Sequence, residues 1–312
     1  MAGIYSQGGS AGHRYAGWLS EVEAKNFQFG GKVFNGSPSA IYVGSNLVWA
    51  PWLLKDAAIR AIVGAFGQRD GLAVINATDA YLNQLAASDR DKATALAGFI
   101  NEDPMMVCSL GLQPQGVTMP IRWLKGGNGV LLNTKYYWDN AKNPEVEVDM
   151  YVIGNSGNRP LFGCSNGNAW GNGGLAPYYS GSGLVLVYPT SNSGSNYTMG
   201  SGFNANARYT AKQTKSKFYF GANSWNLSTY ANYVCTNPYY IFGINASDTT
   251  GTNIFAATKI NIKDDDGVAR TLVPFKHKVS EGVYSWQWVD LVSATYDGFA
   301  IGTFEEYTPS TQ

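Results

Sequence analysis

The chain has 312 residues, and its 22 basic and 22 acidic side chains give a formal net charge of zero. Charged residues make up only 14% of the sequence, aromatics reach 14% and glycines number 37, whereas an average soluble domain is about a quarter charged. The balanced charge excludes the basic stripe on which nucleic-acid binding depends, and nothing indicates a membrane surface or span. Much of the polar surface has to come from Asn, Ser, Thr, Tyr and Gly, which is typical of turn-rich extracellular and virion β-proteins.

The cysteines are few and widely spaced. Cys108, Cys164 and Cys235 form an odd set, so their spacing predicts neither a disulfide framework nor a zinc site. Three buried free thiols are the favoured interpretation, and one bridge with a spare thiol is the alternative. The first residues lack the pattern of a signal peptide. A surface-type composition without that signal fits a phage structural protein released by lysis, and it also fits a fragment or a mature form.

Residues 1–51 are predicted to form a β-rich assembly segment. The β-branched and aromatic runs 40–43 and 47–49 flank Gly44-Ser45-Asn46, which is a turn sequence typical of antiparallel hairpins. Pro51 ends this ladder because proline has no N–H to donate.

Residues 52–118 are predicted to be a small helical insert. Apolar residues recur at three- and four-residue spacing over 53–62, the pattern of an amphipathic helix. Asn76 or Thr78 caps a second predicted helix, and Ser88 with Asp91 forms a capping box before a third. No catalytic constellation lies in this segment.

Residues 119–312 are predicted to be β-structure throughout. The stretch 145–151 alternates between acidic and apolar residues, as a strand with one solvated face does. An Asp-Asp-Asp-Gly turn at 264–267 separates two further β-runs and predicts a hairpin. The predicted strands are 129–136, 146–153, 184–188, 207–211, 217–221, 239–244, 254–262, 269–275 and 283–288. So many short strands with Gly- and Asn-rich turns indicate an antiparallel sandwich or jelly roll.

The last of these hairpins carries a family resemblance. It reads ATKINIK before the acidic turn and GVARTLVPFKHK after its aspartates, and it resembles the final hairpin of laminin-G/concanavalin-like domains in phage virion proteins. The strands at 129–134 and 146–149 resemble other strands of that family, and the hairpin at 40–49 resembles a module of tail-associated proteins of gut phages. The resemblance implies a concanavalin/laminin-G-like jelly roll at 119–312. The sequence departs from the family pattern at 285–288, where it reads SWQW.

Two acidic groups are candidates for chemistry. The carboxylates of 264–266 offer hard oxygen ligands for Ca²⁺, although acidic Asp-Gly turns also occur for conformational reasons alone, and the structural interpretation is favoured. Glu145, Glu147 and Asp149 lie two residues apart on one strand face, a spacing compatible with the paired carboxylates of a glycosidase. A solvated strand face is the favoured interpretation here too.

Nucleophilic and metal chemistry have little support in the sequence. His13 and His277 are the two histidines of the chain, and neither lies beside a nucleophile motif or a set of cysteines with zinc spacing. We therefore expect no catalytic residue, no metal site and no cofactor.

An aromatic- and amide-rich group of residues predicts a glycan site. Aromatic rings stack on the apolar faces of sugars, and Asn side chains bond hydroxyl groups as donor and acceptor. The alternative is that the same aromatics fill the ends of the sandwich or an interface between subunits. The candidate glycan-binding residues are Asn168, Trp170, Asn172, Tyr178, Tyr179, Trp225, Asn226 and Tyr230.

These features together predict a structural component of a phage virion. The partners expected are other virion proteins, copies of the same chain and a host-surface glycan, with no nucleic acid and no membrane. Two alternatives remain open: a polysaccharide hydrolase that uses Glu147 with a second carboxylate, and a purely architectural decoration without a ligand. The aromatics predicted to bury in neighbouring subunits are Trp18, Phe27, Phe29, Trp49 and Trp52.

Overall fold

A computed structural model describes most of the chain beyond residue 120 and short segments before it. The described residues there are 121–127, 129–154, 159–167, 173–180, 183–200, 204–244, 254–296 and 298–309. The chain divides into two compact units, Met1–Ile121 and Arg122–Gln312.

The described part of the amino-terminal unit consists of three antiparallel strand pairs and a few helical positions. The strands are β1 (Gly3–Ile4), β2 (His13–Arg14), β3 (Asn26–Phe29), β4 (Lys32–Asn35), β5 (Ile41–Val43) and β6 (Asn46–Trp49). They pair as β1–β2, β3–β4 and β5–β6. The β5–β6 pair confirms the hairpin predicted at 40–49. Helical backbone occurs at Ala95, Gly98, Phe99 and Glu102, and the predicted helices before residue 88 lie outside the described residues.

The carboxy-terminal unit is built from strands that run from residue 123 to residue 307. They are β7 (Trp123–Lys125), β8 (Leu131–Asn133), β9 (Glu145–Val152), β10 (Arg159–Pro160), β11 (Phe162–Gly163), β12 (Ala176–Ser180), β13 (Gly183–Pro189), β14 (Ser195–Met199), β15 (Ala207–Thr214), β16 (Lys217–Phe220), β17 (Asn223–Asn226), β18 (Tyr240–Ile241), β19 (Phe255–Lys263), β20 (Ala269–Ser280), β21 (Val283–Asp290), β22 (Ala300–Ile301) and β23 (Glu305–Tyr307).

The larger sheet has nine strands and is antiparallel. Its main path runs β17-β16-β15-β9-β19-β20-β21, and β7 pairs with both β19 and β23. Strand β19 has two partners on the side opposite β9, and its register with β9 shifts between Ala257 and Lys259. The residues before this irregularity pair with β7, and those after it pair with β20.

A second layer consists of two four-stranded antiparallel sheets. Their orders are β10-β12-β13-β14 and β11-β18-β8-β22. A bridge between Cys164 and Leu175 links the end of β11 to the start of β12, so the two sheets are continuous at this point.

One buried cluster takes side chains from both layers. Val146, Val148 and Met150 alternate along β9 in the larger sheet, and Leu184 and Leu186 alternate along β13 in the second layer; all five are at most 2% exposed. Side chains of opposite sheets that share one core must face each other. The carboxy-terminal unit is therefore mainly β, antiparallel and sandwich-like, as the alternating sequence pattern predicted.

All nine predicted strands coincide with observed strands, but eight of the seventeen strands of this unit were not predicted, among them β12, β14 and β17. Strands β12, β14 and β17 are rich in Ser, Asn, Tyr or Pro, and these residues gave no clear alternation. In addition, β21 continues without interruption through 285–288, where the sequence departs from the family pattern.

Candidate functional site

Three loops meet at one end of the carboxy-terminal unit and are tied together by one asparagine. We call residues 165–167, 190–194 and 229–237 the loop platform. The side-chain amide nitrogen of Asn166 donates to the carbonyl oxygens of Asn192, at 3.1 Å, and Val234, at 2.9 Å. Its Oδ1 accepts from the backbone N–H of Thr236, at 2.7 Å, and from the Thr236 hydroxyl, at 3.1 Å. The Asn166 side chain thus uses both ends of its amide to join all three loops.

Further hydrogen bonds close the platform. Asn192 Oδ1 accepts from the N–H of Val234 at 3.4 Å, and the Asn237 amide donates to the carbonyl oxygen of Ser165 at 2.5 Å. These bonds run between loops that are far apart in sequence. They provide hydrogen-bond partners for backbone N–H and carbonyl groups of the loops, which are not paired in a sheet ladder.

The described residues on either side of the predicted site at 168–172 belong to this platform or contact it. Gly167 belongs to it, and the carbonyl oxygen of Gly173 accepts from the hydroxyl of Tyr233 at 2.5 Å. Gly173 has a φ of +65°, and a Cβ there would lie 2.6 Å from the carbonyl oxygen of Asn192, so only glycine fits. Asn168, Trp170 and Asn172 themselves lie outside the described residues, so their role stays a prediction.

Tyr230 presents an exposed ring on a backbone that is held on both sides. The residue is 37% exposed. Its N–H donates to the carbonyl oxygen of Pro189 at 2.7 Å, and its carbonyl oxygen accepts from the Asn140 amide at 2.6 Å. Asn140 is buried and also accepts from Trp138 Nε1 at 2.7 Å. A rigid loop that displays an aromatic ring is the arrangement that sugar stacking requires.

Sequence reasoning missed Asn140 and Asn166 as organising residues. Asp139 caps the short 3-10 helix at Asn140–Lys142 by accepting from the N–H of Ala141. That polar Asp-Asn pair after an aromatic run is a local signal of a capped turn. The role of Asn166 has no local signal, since its partners are as much as 70 positions away.

The other predicted glycan residues do not join the platform as one cluster. Tyr179 on β12 is 6% exposed and packs in the core, which leaves little of its surface for contact with a sugar. Tyr178 points to the opposite face of the strand and is half-buried. Burial raises the pKa of Tyr178, and the nearby hydroxyl of Tyr197 raises it further. The sequence gives no signal for β12, so it does not distinguish Tyr178 and Tyr179 from loop residues.

Trp225 and Asn226 lie on β17 at the edge of the larger sheet. The Trp225 ring is stacked against Phe218, with ring centroids 6.1 Å apart, and is partly buried against the core. A Cβ on Gly200 would lie 3.2 Å from this ring, so the indole is packed on two sides. Asn226 is exposed. The Trp225 side chain thus serves packing, and Asn226 remains available to a ligand.

The acidic face of β9 is neutralised by neighbouring strands. Glu145 forms ion pairs with Lys212, at 2.7 Å, and with Lys263, at 3.0 Å. Partial burial acts to raise the pKa of Glu145, but hydrogen bonds and charge from the two lysines lower it overall. Asp149 accepts from Nε of Arg208 at 2.9 Å and from the second guanidinium nitrogen as well. These pairs join β9 to both of its neighbours.

Glu147, between these two acids, accepts from the amide of Asn261 at 3.2 Å. The three carboxylates proposed as glycosidase candidates therefore contact Lys212, Lys263, Arg208 or Asn261 across the sheet. The row acts as a set of cross-strand pairs, in which Glu145 and Glu147 are half-buried and Asp149 is buried.

The three aspartates of the acidic turn have different partners. Asp264 Oδ1 accepts from the N–H groups of Asp266, at 3.1 Å, and Val268, at 3.0 Å, which is an Asx-type turn. Asp266 forms an ion pair with Lys142 at 2.9 Å, and Asp265 accepts from the amide of Asn143. Within the described ranges, no group of three or more His, Cys, Asp or Glu side chains is placed to hold a metal ion. These contacts explain the cluster as a turn.

His277 packs in a small aromatic group on β20. Its ring centroid lies 5.9 Å from that of Phe275 and 5.0 Å from that of Tyr296. For His13, on β2, the structure describes only the backbone pairing.

Among the residues that the structure describes, no helix is long and apolar enough to cross a membrane. No protein-family model matches the chain, and no curated protein sequence matches it significantly.

Proposed function

We propose that the chain is a structural component of a phage virion whose carboxy-terminal unit binds host-surface glycans at the loop platform. The observation that carries the glycan site is the exposed ring of Tyr230 on a backbone held by Pro189 and Asn140. In this proposal the sandwich is a concanavalin/laminin-G-like jelly roll. The family resemblance of the 257–278 hairpin and the two facing antiparallel layers support that assignment.

The chemistry of the platform suits a polar, uncharged ligand. A tyrosine ring offers an apolar face for a pyranose ring, and amide side chains bond sugar hydroxyl groups without a net charge. Trp170, Asn168 and Asn172 would add a second ring and further amides from the loop between Gly167 and Gly173. A single site of this kind binds weakly, and many copies on one particle would convert weak binding into avidity.

The amino-terminal unit would supply the assembly contacts. Phe27 and Phe29 lie on β3 and Trp49 lies on β6, each in a two-stranded pair; such pairs are marginally stable alone in water. We propose that these aromatics, with Trp18 and Trp52, bury against other virion proteins or copies of the same chain. Trp18 and Trp52 lie outside the described residues.

Glycan binding is tested with the purified full chain on an array of immobilised bacterial surface polysaccharides. We expect Tyr230→Ala to weaken binding about tenfold, equivalent to about 1.4 kcal/mol, because it removes the stacking ring. Tyr284→Ala is the matched control: Tyr284 is a 49% exposed tyrosine on β21, and its removal should leave binding unchanged. Equal effects of the two variants, or no binding by the wild type at high density, would reject the glycan site. A blank array would favour an architectural decoration.

The virion assignment is tested by imaging. Purified particles of the parent phage are labelled with an antibody against residues 119–307. Label at regular positions on the particle would support a virion component and distinguish tail from head. Unlabelled intact particles would reject this part of the proposal and favour a cell-surface or released glycan-binding protein.

A further inference from the structure

The β10-β12-β13-β14 sheet has an outer face that points away from the core. Leu184 on β13 belongs to the buried cluster, so Val185 and Val187, at alternate positions, point the other way. In the register of this sheet, Tyr178 on β12 lies directly across from Val185. Tyr197 on β14 lies directly across from Val187. Two tyrosines therefore flank the two valines on this outer face.

The exposed part of this face consists of tyrosine. Tyr197 is 54% exposed, and Tyr178 is half-buried. Val185 and Val187 are 4% and 1% exposed, so the positions between the two tyrosines offer little aliphatic surface to a partner. A stable interface between proteins needs a broad contact area with an apolar centre. The face is therefore better suited to stacking on separate rings than to docking of a second protein.

The outer face also lacks charge. Residues 160–207 contain no Asp, Glu, Lys, Arg or His, and strands β12, β13 and β14 lie within this run. In β10, Arg159 pairs with Tyr179, which is on the core side, and Pro160 pairs with Tyr178. An acidic sugar loses part of its hydration when it binds, and strands β12, β13 and β14 supply no cation to offset that cost. The face therefore favours a neutral sugar over an anionic one.

The outer face of the larger sheet shows the contrast. Glu145 forms ion pairs there with Lys212 and Lys263, and Asp149 forms one with Arg208. The absence of charge from strands β12, β13 and β14 is thus a property of the second layer and is not shared by both faces of the sandwich.

The uncharged face continues from the loop platform. The platform residues 190–194 connect β13 to β14, and Pro189 pairs with Ser195 on either side of them. The N–H of Tyr230 donates to the carbonyl oxygen of Pro189 at 2.7 Å. Tyr197 lies two residues beyond Ser195, so the backbones of Pro189 and Tyr197 are about 8 Å apart along the sheet. A ligand on the platform can therefore extend onto this face.

We propose that the outer face of this sheet is a second saccharide-contact surface, which extends the loop platform and takes an electrically neutral polysaccharide chain. Tyr197 is its principal stacking ring, and Tyr178 contributes from the other side of β13. The backbones of the two tyrosines are two strands and two residues apart, about 12 Å, so a ligand that contacts both extends across β13. This proposal rests on the proposed function, because it assumes that the unit binds glycans. It adds the charge class of the ligand and a contact surface outside the platform.

The charge class is tested with neutral bacterial polysaccharides and with uronic-acid-containing ones, the latter immobilised in native and in carboxyl-reduced form. Carboxyl reduction converts each uronic acid into the corresponding neutral hexose and leaves the linkages unchanged. We expect binding of the full chain to be confined to neutral polysaccharides and carboxyl-reduced forms. Binding should also be the same at low and high sodium chloride concentration, since no ionic contact is screened.

The contact surface is tested with Tyr197→Ala on the polysaccharides that the wild type binds. We expect about tenfold weaker binding, because a stacking ring is lost. Tyr197→Phe keeps an aromatic ring and should bind like the wild type. Tyr284→Ala removes an exposed tyrosine from β21 and should bind unchanged. Thermal unfolding checks that each variant is folded, and sedimentation velocity compares the oligomeric state of Tyr197→Ala with that of the wild type.

The outcomes separate this proposal from the proposed function. A preference for a native acidic polysaccharide over its reduced form would reject the neutral class, and binding that needs Tyr230 but not Tyr197 would reject the contact surface. In both cases the glycan site on the platform would stand. A self-associated wild type that becomes monomeric in Tyr197→Ala would assign the face to contacts between copies of the chain. No binding to either form of any polysaccharide would reject the glycan function and this proposal with it.

Discussion

Replacement of Asn166 by alanine tests whether one side chain organises the loop platform. The Asn166 amide makes four hydrogen bonds, two as donor and two as acceptor. A typical protein hydrogen bond contributes about 0.5–1.5 kcal/mol net. The site is partly exposed, so water can replace some of the lost bonds. We therefore expect Asn166→Ala to lower the free energy of unfolding by about 2 kcal/mol.

Urea unfolding followed by tryptophan fluorescence measures this loss, and amide hydrogen exchange locates it. The N–H of Thr236 donates to Asn166, and the N–H of Val234 donates to Asn192. Without the Asn166 side chain, the Thr236 amide loses its acceptor directly. The Val234 amide loses the support of the platform around it. Both amides should exchange faster in the variant, while amides in the ladder between β9 and β15 should stay protected.

Two matched variants sharpen the test. Asn166→Asp keeps the oxygen that accepts from Thr236 but places a second oxygen against the carbonyl groups of Asn192 and Val234. It should destabilise the protein at neutral pH at least as much as alanine does. Asn223→Ala removes an exposed asparagine from β17 and should cost less than about 0.5 kcal/mol. An Asn166→Ala protein as stable as Asn223→Ala, with Thr236 still protected, would refute the role assigned to Asn166.

Three further changes have defined outcomes. Gly163→Ala should lower the free energy of unfolding, measured by urea denaturation, by about 3 kcal/mol or more. The backbone φ of Gly163 is +144°, and the new Cβ would clash with the backbone oxygen of Leu175. Glu145→Gln should lower the free energy of unfolding at neutral pH, and this loss relative to wild type should shrink as the pH falls. The reason is that the pKa of Glu145 is lowered in the folded state. The stability that the ionised side chain contributes is therefore present above its unfolded pKa and is lost as the pH falls through its folded pKa. Glu147→Gln should leave any release of reducing sugar from host polysaccharide unchanged, because the side chain bonds Asn261 across the sheet.

Each of these has its own contradicting result. Gly267→Ala is the control for Gly163, since φ there is +81° but nothing lies within 4 Å of the new Cβ; equal losses at both positions would contradict the steric argument. A loss of stability in Glu145→Gln that stays the same in acid would contradict the stabilising role of the ion pairs with Lys212 and Lys263. Loss of a measurable hydrolase activity in Glu147→Gln would revive the enzyme alternative.

Local sequence patterns were sufficient for the strands that have one solvated face. The alternation of Glu145, Glu147 and Asp149 with Val146 and Val148 predicted β9, and the structure has the two valines in the core. Glu145 and Glu147 are half-buried, and Asp149 is buried in its ion pair with Arg208. The acidic turn likewise predicted the β19–β20 hairpin, whose register begins at Lys263 and Ala269. In both places the signal lies within a few residues, because strand period and turn conformation are local properties of the backbone.

These local patterns did not predict strands that lack an alternation of apolar and polar residues. On β12, Tyr178 and Tyr179 are chemically identical neighbours, yet one is half-buried on the outer face and the other lies in the core. On β17, Trp225 follows Asn223 and Ser224 and precedes Asn226, without an apolar alternation. Residue type alone does not distinguish an aromatic side chain that is exposed to solvent from one that is buried in the core.

Local patterns in the sequence predict an antiparallel β-fold and its clearest turns. Which loops meet depends on the tertiary structure. The fold brings Asn166 to Thr236, 70 positions away, and Cys164 to Tyr233, 69 positions away. The physical reason is that such contacts follow from strand order and register across two layers. These are set by the packing of the whole core, and no short-range period in the sequence encodes them.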